Sequence, residues 1–141
     1  MPGLINAINA SASALDAQRA RMEVAVSNLA NAESTRGPDG QPYRRREVVL
    51  ESMPFEQHAQ AAGVQPTGVR VAAVLEDQTA FRRRYEPSHP DADADGFVAV
   101  PNVDVPEEMI DMLGAARAYQ ANLTAIGLIR DTIQKALELA K

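Results

Sequence analysis

Residues 89–96 read HPDADADG, which sets Asp91, Asp93 and Asp95 at alternate positions and closes with Gly96. That is the opening of an EF-hand calcium loop, where ligands at positions 1, 3 and 5 face the ion and a glycine at position 6 permits the turn. The rest of the pattern fails. Position 12 is Asn102 where a bidentate glutamate is required, Pro101 precedes it, and Pro87 and Pro90 keep a helix from leading into the loop. The competing reading is a solvated acidic turn, in which aspartate side chains accept from the backbone amides that follow them and Gly96 takes a positive φ. The turn is the expectation, with Asp91, Asp93 and Asp95 retained as the candidate metal ligands should a cation bind.

Two arginine triplets lie beside aromatic residues, Arg44 to Arg46 after Tyr43 and Arg82 to Arg84 between Phe81 and Tyr85. Basic residues interleaved with aromatics are one signature of single-stranded nucleic-acid binding. In extended backbone, however, successive side chains point to opposite faces, so each triplet offers at most two charges to one side. The formal net charge of −5 and pI near 5.0 have the wrong sign for a dedicated nucleic-acid binder. Partner-facing or solvated strand charges are the better reading. His58 and His89 are the only histidines, and Ser88, His89 and Asp91 are neighbours along the chain, which does not assemble a triad. No enzymatic activity and no cofactor are expected. The absence of cysteine excludes disulfides and thiolate metal sites.

The elements that hold these residues are two helices and a set of strands. Ile5, Ile8, Ala12, Leu15, Met22, Val26 and Leu29 alternate spacings of three and four across one break at Arg19, the pattern of a coiled-coil seam. Met109, Met112, Ala116, Tyr119, Leu123, Ile126, Ile133, Leu137 and Ala140 repeat it across a break at Arg130. Asp104 followed by Pro106 and Glu107 marks the start of the second helix as a capping box. The first helix ends within Asn28 to Thr35, ahead of Gly37 and Pro38. Between them Tyr43 to Glu51 and Gly68 to Leu75 read as strands, with Val69, Val71, Ala73 and Leu75 on one face; Ala80 to Tyr85 and Phe97 to Val100 are further strand candidates. His58 to Thr67 reads as a low-complexity loop. The expected fold class is α+β, two long terminal helices pairing as a coiled coil around a small inserted β-rich module: residues 1–35 and 104–141 form the helical domain and residues 36–103 the outer module.

Alanine supplies much of the apolar 45% and aromatics only 4%, so one copy has little area to bury and close helix approach is favoured. Long heptad helices with flat alanine backs (Ala7, Ala10, Ala14, Ala17, Ala20, Ala25) suit assembly of many copies. The seam residues expected to carry it are Ile8, Leu15, Met22, Val26, Leu29, Met112, Tyr119, Leu123, Ile126 and Ile133. No run reaches the ~18 apolar residues a membrane span needs, and the N-terminus lacks the basic region and apolar core of a cleaved secretory signal.

The stretch SNLANAEST, with Asn28, Asn31 and Thr35, reads either as a helix stop or as polar specification of a helix contact at the join to the module. SASALDAQRARMEVAVSNLANAESTR, PYRRREVV and HPDADADGFVAVPNVDVPEEMIDMLGAARAYQANLTAI together resemble the flagellar rod and hook axial proteins, and among them those of the proximal basal-body rod. The resemblance implies a structural subunit of a hollow, periplasm-spanning rod, with terminal helices in an inner coiled-coil domain facing the channel and a β-rich domain outside. It implies export through the flagellar type III apparatus without a cleaved signal. It implies as partners other proximal and distal rod proteins and the membrane-ring adaptor. The alternative is a freestanding helical interaction module tuned by calcium at the DADADG loop.

Overall fold

In the computed structural model, which describes residues 2–54 and 67–139, the element order is α1 (Pro2–Ala30), β1 (Arg46–Pro54), β2 (Thr67–Glu76), β3 (Arg82–Tyr85), β4 (Phe97–Val100) and α2 (Val105–Leu139). Two long terminal helices therefore flank a small strand module, the α+β arrangement expected. At 1.5 Å per residue the 29-residue α1 and 35-residue α2 are about 44 and about 53 Å long. Residues 58–66 of the loop expected over His58 to Thr67, and Ala140 of the expected seam, lie outside the described residues; Thr67, expected in that loop, opens β2.

Both helix boundaries have local causes. Asp104 caps α2: its Oδ1 accepts the Glu107 amide at 3.2 Å and its carbonyl accepts the Glu108 amide at 3.0 Å. Past Ala30, α1 unwinds through a turn in which Asn31 Nδ2 returns to the Ser27 carbonyl at 2.8 Å and Ser34 Oγ donates to Asn31 Oδ1 at 3.2 Å. Strand β1 begins at Arg46, three residues later than the sequence suggests. The amides before it are spent elsewhere, Tyr43 on the Ser34 carbonyl (3.1 Å) and Arg45 on the Asn102 side chain (2.8 Å).

The strands form two two-stranded sheets, β1–β2 and β3–β4. In the second, antiparallel pairing sets Arg82 opposite Val100 and Tyr85 opposite Phe97, whose rings meet edge to face at 5.2 Å. The DADADG turn joins these strands. Asp93 Oδ1 accepts the amides of Asp95 (3.0 Å) and Phe97 (2.8 Å), and Gly96 has φ of 82°. A Cβ at Gly96 would stand 2.9 Å from the Tyr85 ring.

The chain divides into two compact units. The first comprises residues 1–20, 49–73 and 114–141; in it Ala17 and Ala115 are buried, and the Val69 amide donates to Ser13 Oγ at 3.1 Å. The second comprises residues 21–48 and 74–113 and holds the buried apolar residues Ala25, Ala32, Val98, Val100 and Val103 together with Pro101. On β4 the pleat turns Val98 and Val100 inward, while Ala99 is exposed.

Gly114 sits inside α2 with nothing near the position of a Cβ, so Gly114→Ala is expected to stabilise the fold by about 0.5–1 kcal/mol. Gly96→Ala, with both a left-handed φ and the Tyr85 contact against it, is expected to destabilise by about 1–3 kcal/mol. Urea unfolding of the two variants beside the parent measures both signs.

Candidate functional site

The second unit is built around a buried asparagine. Asn28 is 0% exposed and lies two residues before the end of α1. Its Nδ2 donates to the Arg46 carbonyl and to Glu108 Oε2, both at 2.9 Å. Its Oδ1 accepts the Arg46 amide at 2.9 Å and the Tyr43 hydroxyl at 3.0 Å. An amide side chain has two donors and two acceptor positions, and all four are filled here. One residue thus reads the backbone of β1, the first turn of α2 and the segment leading into β1.

Glu108, 2% exposed, carries the network across. Its second oxygen, Oε1, accepts from Arg45 Nε at 2.6 Å. Arg45 also lies 3.7 Å from Asp111 and 3.9 Å from Glu47. Burial alone would lower the Arg45 guanidinium, but the hydrogen bond and charge of Glu108, backed by Glu107 and Glu47, raise it above its ordinary value. Asn102 closes the far side, with Nδ2 on Thr79 Oγ1 at 2.8 Å and on the Asp77 carbonyl at 3.2 Å. No buried side-chain nitrogen or oxygen among the described residues lacks a partner. The arrangement holds neither a nucleophile beside a base nor a ligand cluster; its chemistry is the fixing of one register between two helices and a strand.

The arginine triplets split as extended backbone requires. Arg45 turns to α2, whereas Arg44 lies 4.3 Å over the Phe81 ring and Arg46 reaches Glu76 at 3.8 Å. Arg83 pairs with Asp93 at 2.7 Å and Arg84 with Glu33 at 2.6 Å. In the acidic loop the carboxylates diverge. Asp91 accepts from Thr35 Oγ1 at 2.9 Å and pairs with Arg36 at 3.1 Å, Asp93 takes its own turn amides and Arg83, and Asp95 is exposed. Among the described residues no three acidic or histidine side chains converge on a common point. Backbone bonds to Phe97, then Arg83, hold the Asp93 carboxyl below the usual range.

Of the sequence-predicted motif residues, Asn28 enters the buried network, Asn31 closes the end of its own helix and Thr35 ties that end to the acidic loop. The seam residues divide by heptad position. Ile8, Leu15, Met22 and Leu29, with Met112, Tyr119, Ile126 and Ile133, are half-buried; Val26 is 52% and Leu123 47% exposed. On α2 the least exposed row continues through Glu108, Ala115, Asn122 and Ile129, each one residue before the Met109, Ala116, Leu123 and Arg130 of the sequence pattern. On α1 the exposed row is Ile5, Asn9, Ala12, Asp16, Arg19, Glu23, Val26 and Ala30. Glu108, Arg45, Tyr43 and Asn102 were not among the sequence candidates. The available signal was the acid pair Glu107–Glu108: the Asp104 side chain takes the Glu107 amide, and the side chain of the next acid, Glu108, is buried.

Residues 8–38, which carry Asn28, match the family described as flagella basal body rod protein, and residues 94–139, which carry Glu108, match the flagellar basal body rod FlgEFG protein C-terminal family. The flagellar basal-body rod protein FlgC of Salmonella typhimurium is 46% identical over 138 residues, covering 98% of each chain. The chain belongs to the FlgC family of flagellar basal-body rod proteins. FlgC of Bacillus subtilis is 41% identical over 96% of this chain and 97% of its own, and FlgC of Aquifex aeolicus 36% identical over the whole of both. In this FlgC-family chain the two matched segments are joined by the bond of Asn28 to Glu108. No helix among the described residues is long and apolar enough to cross a membrane.

Glu108→Ala leaves the Arg45 guanidinium facing a buried vacancy and is expected to cost about 3–5 kcal/mol, with Asn28→Ala similar; denaturant unfolding followed by tyrosine fluorescence measures both. Because the Asp93 carboxyl is lowered by folding, its contribution is present above the unfolded value and lost as pH falls through the folded one. Asp93→Asn is therefore expected to flatten the acid limb of stability below the ordinary aspartate value of about 4, read from thermal midpoints at each pH.

Proposed function

We propose that this chain polymerises into the flagellar basal-body rod through its two terminal helices. Membership of the family makes it a structural subunit of the rod, working among other basal-body components. What supports the helical mode is that both helices are long and leave apolar side chains uncovered in a single copy. Ile5 and Val26 on α1, and Ile110, Leu113, Leu123, Leu128 and Leu137 on α2, are all exposed. Helices gain most of their stability from tertiary packing, so covering these positions with neighbouring subunits supplies burial that one chain lacks.

In this reading the seam residues Ile8, Leu15, Met22, Val26, Leu29, Met112, Tyr119, Leu123, Ile126 and Ile133 hold helices within and between subunits. Residues 1–35 and 104–141 make the inner domain lining the export channel, and residues 36–103 the outer module. The neighbours are proximal and distal rod proteins and the membrane-ring adaptor; delivery is by the flagellar type III apparatus, without a cleaved signal, into a periplasm-spanning rod. Such a subunit transmits torque by rigid contact and performs no catalysis. The DADADG loop serves as a turn that binds β3 to β4 and the end of α1, and no observation favours the calcium-tuned module.

Truncating a leucine that becomes buried costs about 2–5 kcal/mol. Leu15→Ala and Leu123→Ala, introduced together into a swimming strain, are expected to reduce incorporation into purified basal bodies and to abolish swimming. Normal motility with both changes would remove the seam from consideration.

A further inference from the structure

His89 opens HPDADADG and has no part in the roles described above. Pro90 follows it and keeps its backbone out of the helical region. Two consecutive turns meet there: the His89 amide donates to the Glu86 carbonyl and the His89 carbonyl accepts the Ala92 amide, both at 3.0 Å. The ring then approaches one residue in two ways. Nδ1 accepts the Asp91 amide at 3.1 Å and stands 4.0 Å from Asp91 Oδ2. A ring nitrogen accepts only while it carries no proton, so the amide bond requires a neutral imidazole with its hydrogen on Nε2.

Asp91 is also what ties this turn to the segment after α1. Its Oδ2 accepts the Thr35 hydroxyl at 2.9 Å and its Oδ1 pairs with Arg36 at 3.1 Å, the acid 20% and the arginine 70% exposed. The structure gives the carboxylate to Thr35 and Arg36 and the backbone amide to His89. A second tie runs from Glu86 through Arg84 on β3 to Glu33, at 3.0 and 2.6 Å. The charged groups about the imidazole are therefore Asp91 in its own turn, Arg36 after α1, and the chain of Glu86, Arg84 and Glu33 that passes through β3. The ring itself is 23% exposed, so solvent protons reach it.

We propose that His89 is a pH switch on the tie between the acidic turn and the segment after α1. An imidazolium donates from both nitrogens and accepts at neither. On taking a proton from solvent at Nδ1, the ring gives up the Asp91 amide, and its new N–H turns to Oδ2 of the same residue. One carboxylate then faces two cations, and the more exposed of them, Arg36, is repelled and released. The switch works between about pH 8 and 5, the range in which histidine side chains change charge. It goes beyond the rod-subunit reading and does not depend on it.

The test is two-dimensional proton–nitrogen NMR of the full chain, titrated across that range at constant salt. At the alkaline end the His89 ring is expected as the Nε2–H tautomer. As pH falls, the Asp91 amide and the Arg36 Nε–H signals are expected to move with the same midpoint as the His89 ring. Protection of the Asp91 amide from hydrogen exchange is expected to fall about tenfold, as for the loss of one hydrogen bond. His89→Asn supplies a side-chain oxygen that accepts the amide two residues on and does not titrate, so both signals are expected to stay fixed. Asp91→Asn separates the two effects: its amide is expected still to follow the ring, while Arg36 no longer does. His58→Gln, at the one other histidine, is expected to change nothing. A proton on Nδ1 at the alkaline end, Arg36 and Asp91 signals that stay flat while the His89 ring titrates, or the parent's profile persisting in His89→Asn would each overturn the proposal. If His89→Asn does not fold, Asp91→Asn decides it, since Arg36 still following the ring there removes the carboxylate from the switch.

Discussion

The second unit depends on the complete satisfaction of one buried amide. Asn28 can be fully buried because all its donors and acceptors meet partners, two on the backbone of Arg46 and one each on Tyr43 and Glu108, and removing any one would leave a polar group stranded at a cost of about 1–3 kcal/mol. That makes the network a register device. Sliding α1 by one turn against β1 would break two backbone hydrogen bonds and the bond to Glu108 together, a penalty that interchangeable alanine contacts such as those at Ala25 and Ala32 cannot impose. In a unit whose apolar core is mostly valine and alanine, directional bonds carry the specificity that large side chains carry in other folds.

The ion pair of Arg45 with Glu108 extends this logic. A buried charge pair is weak evidence for stability by itself, since desolvation offsets much of the attraction. Here each charge has further partners, Asn28 on the carboxylate and Asp111 and Glu47 near the guanidinium, and the arginine remains partly in contact with water. The pair fixes the start of α2 where the Asp104 cap begins it.

The acidic loop shows how one composition serves two chemistries. Alternating aspartates ahead of a glycine give a cation loop when the carboxylates converge and a turn when they are drawn apart. Here Thr35 and Arg36 pull Asp91 one way, Arg83 and the turn amides pull Asp93 another, and the fold uses the charge to join its own segments. Gly96 is required in both cases, which is why the motif by itself could not separate them.

From the sequence alone came the two helices, the Asp104 cap, the four strands to within a few residues, the turn at DADADG and the family resemblance. Each depends on near neighbours: caps, turn glycines and period are set within a few positions along the chain. The sequence also put Asn28 and Asn31 in one motif. Only the tertiary structure separated them, because Asn31 bonds within its own helix end while Asn28 needs Glu108, eighty positions away. The inward row of α2 was likewise decided in three dimensions. An apolar count favours Met109, Ala116 and Leu123, but the buried positions are Glu108 and Ala115, and Glu108 is held there by its bonds to Asn28 and Arg45. Hydrophobicity measures what gains from leaving water; it does not say which side chain can approach a neighbouring backbone closely enough to bond to it.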